Sequence, residues 1–468
     1  MTQSYSQFWS CCGWVMGMLA LIFLLAVDGS ALAAQDRTAE SGTMMSQAEV
    51  GPTFAENIAP ILYKNCVTCH HPNGIGPMSL LNYETARQYA PLIKHKVQLR
   101  EMPPWNLDKT IGIQGYMNDI SLSDGEIETI TRWVDEGAPE GDPSKLGPPP
   151  ELPDGKEWQL AERLGPPDFV VKAPPYTVLP NTMDQWWTPK TTFEGYIDQP
   201  RYVKATELKG SYPMGVKVLH HGHAELQWEA EEDGEMGRRS GPLGRQGVGK
   251  AGDIFPDDTG MLIQPNGEIN WGLHYFPIGM EVKDEQAMAA VWLYPKGYKP
   301  EYETGGEQRF TADSGGDMPW AGDIVIPPHS IKVQQGVHVL KKPALLSSFR
   351  PHMHMRGKEQ SVEAIYPDGR RMTIGKVDNY NHFWQISYRF EEAEKPLLPA
   401  GTVLLITTTW DNTAANPVNP DPRQWVVFGQ RGVDEMSHVW LGITYLSDEQ
   451  FERLSAERNR MAVAADDG

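Results

Sequence analysis

The sequence predicts a multidomain protein in which a small all-α domain is followed by two tandem all-β domains, antiparallel sandwiches of jelly-roll-like type. The chain has 468 residues, of which 40% are hydrophobic and 10% aromatic, so it is too long for one ordinary domain and can bury several cores. Apolar residues at helical spacing mark the first third, whereas short alternating or apolar runs broken by Gly, Pro and Asn follow. A proline-rich stretch separates the two textures.

The N-terminus is typical of an export signal. Residues 14–27 form an apolar run, and Ala31-Leu32-Ala33 offers a cleavage site after Ala33. Residues 1–13 contain no Lys or Arg, so an uncleaved membrane anchor is the alternative. We expect a periplasmic protein with a signal peptide over 1–33 and a flexible segment over 34–51, attached to the membrane only if the signal is uncleaved.

The remaining boundaries follow from composition. The all-α domain is expected over 52–142. Its last helix is indicated by the start signal Ser121-Leu122-Ser123-Asp124-Gly125-Glu126, by Ile127, Ile130 and Trp133 at helical spacing, and by the stop at Gly137-Ala138-Pro139. A stiff proline-rich linker is expected over 143–166, and a charged, helix-prone tail over 449–468. The two sandwiches are expected over 167–320 and 321–448. Two Gly- and charge-rich interruptions, 229–253 and 302–319, are interpreted as an exposed insertion and as the division between the sandwiches.

Charge and cysteine content exclude some functions. The formal net charge is −20 and the pI is about 5.1, which disfavours nucleic acid and anionic lipid as main partners because both repel an acidic surface. Cys11 and Cys12 lie in the signal, which leaves Cys66 and Cys69 for the mature chain. Two close cysteines do not make a disulfide scaffold.

Cys66-Val67-Thr68-Cys69-His70 is a C-x-x-C-H motif. The motif places two thiols for thioether bonds and the next imidazole for iron, and so predicts one covalent c-type haem. A redox C-x-x-C or half of a zinc site is the alternative, but no βαβ pattern and no second C-x-x-C accompany it. His71 and His95 are interpreted as surface or structural residues.

The sixth haem ligand is expected to be a methionine, and Met78, Met102 and Met117 are the candidates. Met102 is followed by Pro103-Pro104, which hold it on a rigid extended segment. The pattern resembles small class I cytochromes c, whose distal Met often precedes Pro-Pro. We therefore predict Met102 as the ligand.

Two histidine groups in the β region predict metal sites. His352-Met353-His354 is H-x-H, whose imidazoles share one face of a strand; with the thioether of Met436 they form a soft ligand set that suits copper. His220-His221-Gly222-His223 and His274 form the other group, which suits copper or zinc. Joint ligation by His220 and His221 requires a bulge or a strand end, whereas simple alternation would pair His221 with His223.

With these motifs, residues 166–448 resemble the copper type II, ascorbate-dependent monooxygenases, the family of peptidylglycine hydroxylating and dopamine β-monooxygenases. The resemblance implies an electron-donating copper on His220, His221 and His274, and an oxygen-activating copper on His352, His354 and Met436, which are then the catalytic residues. It also implies two coppers in two successive sandwiches, and it favours His220 over His223.

The resemblance extends to a substrate residue but is incomplete. Arg350 occupies the position of an arginine that holds a substrate carboxylate in the amidating branch. The Asn and Tyr that assist this arginine there are replaced by His438 and Trp440, and the disulfides of animal members are absent. His329, His338 and His382 are given structural roles, although His382 could line the second site.

These predictions combine into a haem- and copper-containing monooxygenase that hydroxylates an unidentified organic substrate with dioxygen. Electrons would pass from an external periplasmic donor to haem, to the first copper and on to the second, with haem replacing or supplementing ascorbate. The alternative is a non-oxygenating periplasmic electron-transfer or copper-binding protein. A third possibility is a respiratory subunit that docks through 229–253.

Overall fold

The structure is a computed structural model and describes residues 51–72, 74–152, 155–182, 184–232, 235–247, 250, 252–317 and 323–466. The side chains of 230–239 and 462–466 are outside this description. The predicted signal peptide and flexible segment also lie outside the described residues. Among the helices that are described, none has the length and apolar character needed to cross a membrane.

The helices of the first third of the chain lie between residues 54 and 135. This region contains a π-helical turn at Phe54–Ile58 and four helices: α1 Ala59–Asn65, α2 Tyr83–Gln88, α3 Ala90–Gln98 and α4 Asp124–Asp135. Helix α4 begins with a capping box, in which Ser123 and Glu126 exchange side-chain and backbone hydrogen bonds. Ile130 and Trp133, predicted by their spacing, are fully buried in its core. The predicted start and apolar face of this helix are confirmed.

The segment between α3 and α4 packs on the C-terminal half of the chain. Trp105, Leu107, Ile113 and Tyr116 are buried in the core of the second sandwich. Backbone hydrogen bonds attach the segment at three points: Asp108 N to Lys376 O, Ile113 N to Ile374 O and Met117 N to Arg389 O. The region predicted as one all-α domain therefore shares a core with the second sandwich.

The linker is anchored to the first sandwich. It contains a short 3₁₀ turn, Pro143–Lys145, and the helix α5, Ala161–Leu164. Leu160 and Trp158 pack with Trp292 on the first sandwich. The buried carboxylate of Glu207 accepts the backbone N–H groups of Gln159 and Leu160.

The β region contains twenty-three strands among the described residues. Those of the first half are β1 Phe169–Lys172, β2 Tyr176–Val178, β3 Gln185–Trp187, β4 Lys190–Thr192, β5 Arg201–Lys209, β6 Leu219–Glu232, β7 Glu235–Gly247, β8 Asp253–Ile254, β9 Thr259–Ile263, β10 Glu268–Tyr275, β11 Val282–Glu285 and β12 Met288–Leu293, with helix α6 Gly215–Val218 before β6.

The strands of the second half are β13 Tyr302–Thr311, β14 Val325–Ile326, β15 Ile331–Val339, β16 Ala344–His352, β17 Gly357–Ile365, β18 Arg371–Val377, β19 Tyr388–Arg389, β20 Leu397–Leu398, β21 Val403–Asp411, β22 Val426–Val427 and β23 His438–Tyr445. Helix α7, Asp448–Asp466, follows.

These strands build two sandwiches, which confirms the all-β architecture expected beyond the linker. In the first, β1-β12-β5-β9 faces β3-β10-β6-β7 across one apolar core. In the second, β13-β23-β16-β19 faces β15-β21-β17-β18 across another. A short parallel pairing of β13 with β9 joins one sheet of each sandwich into a ten-stranded sheet, whereas the other strand pairs are antiparallel.

The two predicted interruptions are strands, and this part of the prediction is wrong. Residues 235–247 pair with β6 as β7, and residues 302–311 pair with β23 as β13. Two of the glycines that suggested loops lie within strands, where Gly244 allows close packing and Gly306 lies at a bulge. A Cβ at Gly244 would lie 3.0 Å from Cβ of Leu208, and Gly306, with φ of 69°, falls at the register shift of β13.

Candidate metal centres

A β-bulge in β6 brings two adjacent histidines to one side. His221 lies opposite His274 of β10, but Leu219 lies opposite Tyr275, so His220 is the extra residue of the step. An extra residue breaks the alternation of faces, which allows both imidazoles to reach His274. The bulge that joint ligation requires is therefore present, two residues before Gly222. His223 lies outside this group.

The three imidazoles converge through their Nδ1 atoms. Nδ1 of His221 lies 3.1 Å from Nδ1 of His220 and 3.3 Å from Nδ1 of His274. Ligand nitrogens at tetrahedral positions about 2.0 Å from one ion lie about 3.3 Å apart, so the spacing fits a single metal ion. We call His220, His221 and His274 the first histidine group.

Hydrogen bonds on the outer ring nitrogens set the tautomers of this group. Nε2 of His220 donates to the carbonyl oxygen of Phe383 at 3.0 Å, and Nε2 of His274 donates to Oδ2 of Asp184 at 2.8 Å. Both contacts place a proton on Nε2, so Nδ1 is the ring nitrogen of His220 and of His274 that can offer a lone pair to a metal at the centre. Trp186 stacks on His274 with ring centroids 4.3 Å apart and fixes its orientation.

The second histidine group consists of His352 and His354, at and just beyond the end of β16. Their ring centroids are 5.2 Å apart with the planes at 90°. Nδ1 of His354 donates to the backbone oxygen of Asp434 at 3.2 Å, which leaves Nε2 with its lone pair. Nδ1 of His352 is buried and has no hydrogen-bond partner. An unpartnered buried nitrogen is costly, and a metal ion would satisfy it.

Glu435 connects this group to Met436. The buried Glu435 carboxylate accepts the backbone N–H groups of His354, at 3.0 Å, and of Arg356, at 2.6 Å. Burial raises the pKa of Glu435 to about 7. Met436, the next residue, lines the same cavity as His352. Glu435 therefore links two loops by hydrogen bonds: the loop that contains Met436, the predicted thioether ligand, and the loop that contains His354.

His438 adds a third imidazole beside the second group. Its ring stacks against that of His352 with centroids 5.7 Å apart and planes at 25°. Its Nε2 donates to Oδ2 of Asp313 at 2.6 Å. The sequence had placed His438 only as a replacement for a family residue. Its contact with Asp313, 125 residues away, could not be read from local spacing.

The two histidine groups adjoin each other. The ring centroids of His221 and His352 are 6.2 Å apart. Gln385, which is buried, places its Nε2 3.4 Å from Nδ1 of His221, and its side chain also hydrogen-bonds His352. The same loop, residues 381–387, supplies the Phe383 carbonyl to His220. We call it the bridging loop, because one segment of the second sandwich contacts both groups.

His382 of the bridging loop also lies close to both groups. Burial, together with the neighbouring His354 and His274, lowers its pKa to about 4. The sequence predicts a structural role for His382, with lining of the second site as the option, and the neighbouring His354 belongs to that site. No local motif marks this residue.

Burial keeps the imidazoles of His220, His221, His352 and His354 neutral at pH 7. It lowers the pKa of His220 and of His354 to about 4, and it holds those of His221 and His352 well below the usual 6.5. Neighbouring imidazoles act in the same direction. Metal ligation needs neutral imidazole, so these residues would bind an ion near neutral pH without first losing protons.

A cavity of about 640 Å³ opens between the sandwiches at the metal groups. It is lined by side chains from both sandwiches, including His221 from the first and His352, Met436 and His438 from the second. Volumes of roughly 300–1,000 Å³ are typical of small-molecule sites. The cavity gives a small molecule access to the predicted ligands.

Arg350 is buried in the wall of this cavity with its charge already paired. Its Nη2 donates to Oε2 of Glu307 at 2.6 Å, and its guanidinium lies 4.4 Å from the ring centroid of Trp440. The predicted substrate-binding arginine therefore faces the right cavity but is committed to Glu307 and Trp440.

The C-x-x-C-H motif forms a helical turn directly after α1. The N–H of His70 donates to the carbonyl oxygen of Cys66, and both Cys66 and Cys69 are free thiols. Nδ1 of His70 donates to the carbonyl oxygen of Met78 at 3.2 Å, which leaves Nε2 with the lone pair. This is the arrangement of a metal-ligating histidine, so the residues fit the attachment of a c-type haem.

The three candidate methionines lie in different surroundings. The Met78 carbonyl holds His70, so this residue belongs to the side of the proximal histidine. Met117 is 53% exposed on the second sandwich. Met102 lines a cavity of about 580 Å³ with Val97 and Leu122, although Cys66, Cys69 and His70 do not line that cavity. Met102 as the sixth ligand stays a prediction.

The C-x-x-C-H turn lies against the strands of the first histidine group. A cavity of about 200 Å³ is lined by Thr68 and Cys69 on one side and by Leu219 and Gly247 on the other. Leu219 precedes His220, and Gly247 is the cross-strand neighbour of His221. The predicted haem and the first group are thus neighbours in the fold.

Comparisons with known proteins do not assign a function to this chain. No family model matches it, and no curated protein matches it. Solved structures with partial likeness include a protein from Parabacteroides distasonis (7% identity, 59% of this chain and 88% of that one, TM-score 0.15). PNGF-II shows 11% identity over 58% of this chain and 65% of that one, with a TM-score of 0.22. The tandem CBM22 domain of Paenibacillus barcinonensis Xyn10C shows 7% identity over 55% of this chain and 83% of that one, with a TM-score of 0.15. At these TM-scores nothing is transferred from them.

Proposed function

We propose that this chain is an exported monooxygenase with one c-type haem and two copper ions, which hydroxylates a small organic substrate with dioxygen. One observation carries the proposal. His221 of the first histidine group and His352 and Met436 of the second sandwich line a single cavity of about 640 Å³, and the ring centroids of His221 and His352 lie 6.2 Å apart. The imidazole and thioether ligands suit copper, as in the copper type II monooxygenases that the sequence resembles.

The chain's own residues would prepare each site. Bound copper and haem would each carry one electron at a time. Hydroxylation of a C–H bond with dioxygen takes two electrons from the donor, and so needs two such transfers. Phe383 and Asp184 orient His220 and His274 through their outer nitrogens, and Asp434 orients His354. The cavity walls would hold the substrate beside Met436 and His352.

The position of the C-x-x-C-H turn supports electron entry through the first group. Cys69 shares a cavity with Leu219 and Gly247, which flank His220 and His221. The second group has no such contact with the turn among the described cavities. These neighbours support the proposed order of electron transfer, from haem to the first group and then to the second.

Elemental analysis tests this proposal on full-length protein matured in a periplasm. We expect one iron and about two coppers per chain, with His274→Ala and Met436→Ala each losing about one copper and keeping the haem spectrum. The exposed His329→Ala and Met117→Ala are matched controls that should keep both. Iron without copper would reject the proposal.

Substrate-dependent oxygen uptake separates the oxygenase from an electron-transfer or copper-binding protein. In the oxygenase, reduced protein consumes oxygen faster when substrate is added, and Met436→Ala abolishes this increase. A copper-binding or electron-transfer protein would contain the same metals without coupling oxygen uptake to any substrate.

A further inference from the structure

The cavity at the metal groups carries excess positive charge in an acidic protein. Arg245, Arg309 and Arg350 line it together with Glu225 and Glu307, so three arginines face two glutamates. The whole chain has a formal net charge of −20. A local excess of arginine inside a cavity attracts anions in spite of the acidic exterior.

The other buried charges of this wall are paired among themselves. Oε2 of Glu307 accepts from Arg350 at 2.6 Å and from Lys250 at 3.3 Å, while Oε1 accepts from Ser387 at 2.8 Å. Lys250 also pairs with Asp253 at 2.9 Å. Both oxygens of Glu307 therefore already accept hydrogen bonds from residues other than Arg245.

Arg245 is one of the two cavity arginines that these pairs leave out, the other being the exposed Arg309. Arg245 lies on β7 opposite His223 of β6. Its Nε and Nη1 atoms are buried and have no hydrogen-bond partner, and no carboxylate of the described residues makes an ion pair with it within 4.0 Å. Unpaired buried donors of a guanidinium are costly and require a compensating partner.

We infer that Arg245 is the anion-binding residue of the cavity and that the substrate is a small organic carboxylate. A guanidinium offers two parallel donors that match a carboxylate, and such charge-assisted pairs are strong. Trp186, Trp271 and Trp440 line the same cavity, which suits an apolar or aromatic body on the anion. This inference rests on the proposed function, because it names the substrate class of the same cavity.

Calorimetric titration of the full-length metallated protein tests the inference. The probes are phenylacetate, 3-phenylpropanoate and their neutral amides. We expect at least one carboxylate to bind about tenfold or more tightly than its amide, since a hydrogen bond to a charged group contributes about 1.5–3 kcal/mol. Arg245→Gln should remove this preference. Arg309→Gln, which removes the same charge from an exposed position on the cavity, should change binding about twofold at most.

Thermal unfolding without ligand excludes a merely structural role. Replacing an unpaired buried charge should leave the Tm of Arg245→Gln unchanged or raise it, whereas a structural Arg245 would make the variant melt lower. Arg245→Lys keeps the charge and should retain part of the preference if Gln prevents folding. Equal binding of acids and amides, no binding of either acid, or unchanged preference in Arg245→Gln would each overturn the inference.

The two proposals fail in different ways. Two coppers and substrate-coupled oxygen uptake without carboxylate preference would reject only the role of Arg245. Carboxylate binding that depends on Arg245 in a chain that binds no copper would reject only the monooxygenase.

Discussion

His221 of the first sandwich and His352 of the second lie with their ring centroids 6.2 Å apart. Gln385 contacts both rings. The two predicted copper sites therefore form one compact centre, not two sites separated by the width of a domain. Metals bound there would be close enough to interact directly.

Electron paramagnetic resonance should detect this proximity. With cupric ions in both groups, we expect the signal to be broadened or to account for less copper than chemical analysis finds, because neighbouring unpaired spins couple. His274→Ala, which should keep only the second ion, should give an unperturbed signal that accounts for all of its copper. Two independent, fully intense signals in the wild type would contradict the compact centre.

Asp184 should strengthen metal binding at the first group through His274. Its carboxylate holds Nε2 of His274 at 2.8 Å, and this hydrogen bond lowers the pKa of Asp184. Asp184→Asn should weaken copper binding about 10–100-fold, the usual effect of losing such a partner. Competition with a chelator measures the change. Asp198→Asn, at an exposed pair with Lys296, is the matched control and should bind copper as the wild type does.

Gly76 should be required for haem attachment. A Cβ at this position would lie 2.5 Å from Nδ1 of His70 and would displace the ring from the Met78 carbonyl. Gly76→Ala should reduce the fraction of chains with covalent haem, as measured by haem absorbance per polypeptide. Gly125→Ala, where no atom lies within 4 Å of the added Cβ, should attach haem normally. Full attachment in Gly76→Ala would argue against His70 as the iron ligand.

The metal-depleted protein should lose stability as the pH falls from about 6.5 towards about 4. His220 and His354 have folded-state pKa values of about 4, below the usual 6.5, so the unfolded chain binds more protons in this window. Urea unfolding at several pH values measures the slope. His354→Gln should reduce the slope, whereas replacing the exposed His95 should not. An equal slope in His354→Gln would contradict a buried neutral His354.

Local sequence was sufficient where neighbours along the chain decide the structure. The capping box of Ser123 and Glu126 set the start of α4, and the Gly-interrupted apolar runs indicated antiparallel strands. It failed at β7 and β13, where glycine and charge indicated loops. There the deciding contacts are distant: Gly244 packs on Leu208, and β13 pairs with β23.

The sequence by itself determined the local chemistry: the thiols and imidazole of 66–70, the adjacent His220 and His221, and the H-x-H of His352 and His354. Such groups are defined by spacing along a few residues. Only the tertiary structure decided that the two histidine groups adjoin, that Asp184 and Gln385 serve them, and that Arg350 is paired whereas Arg245 is not. Those relations join residues between about 40 and 170 positions apart, and packing of the two sandwiches, which no local pattern encodes, brings them together.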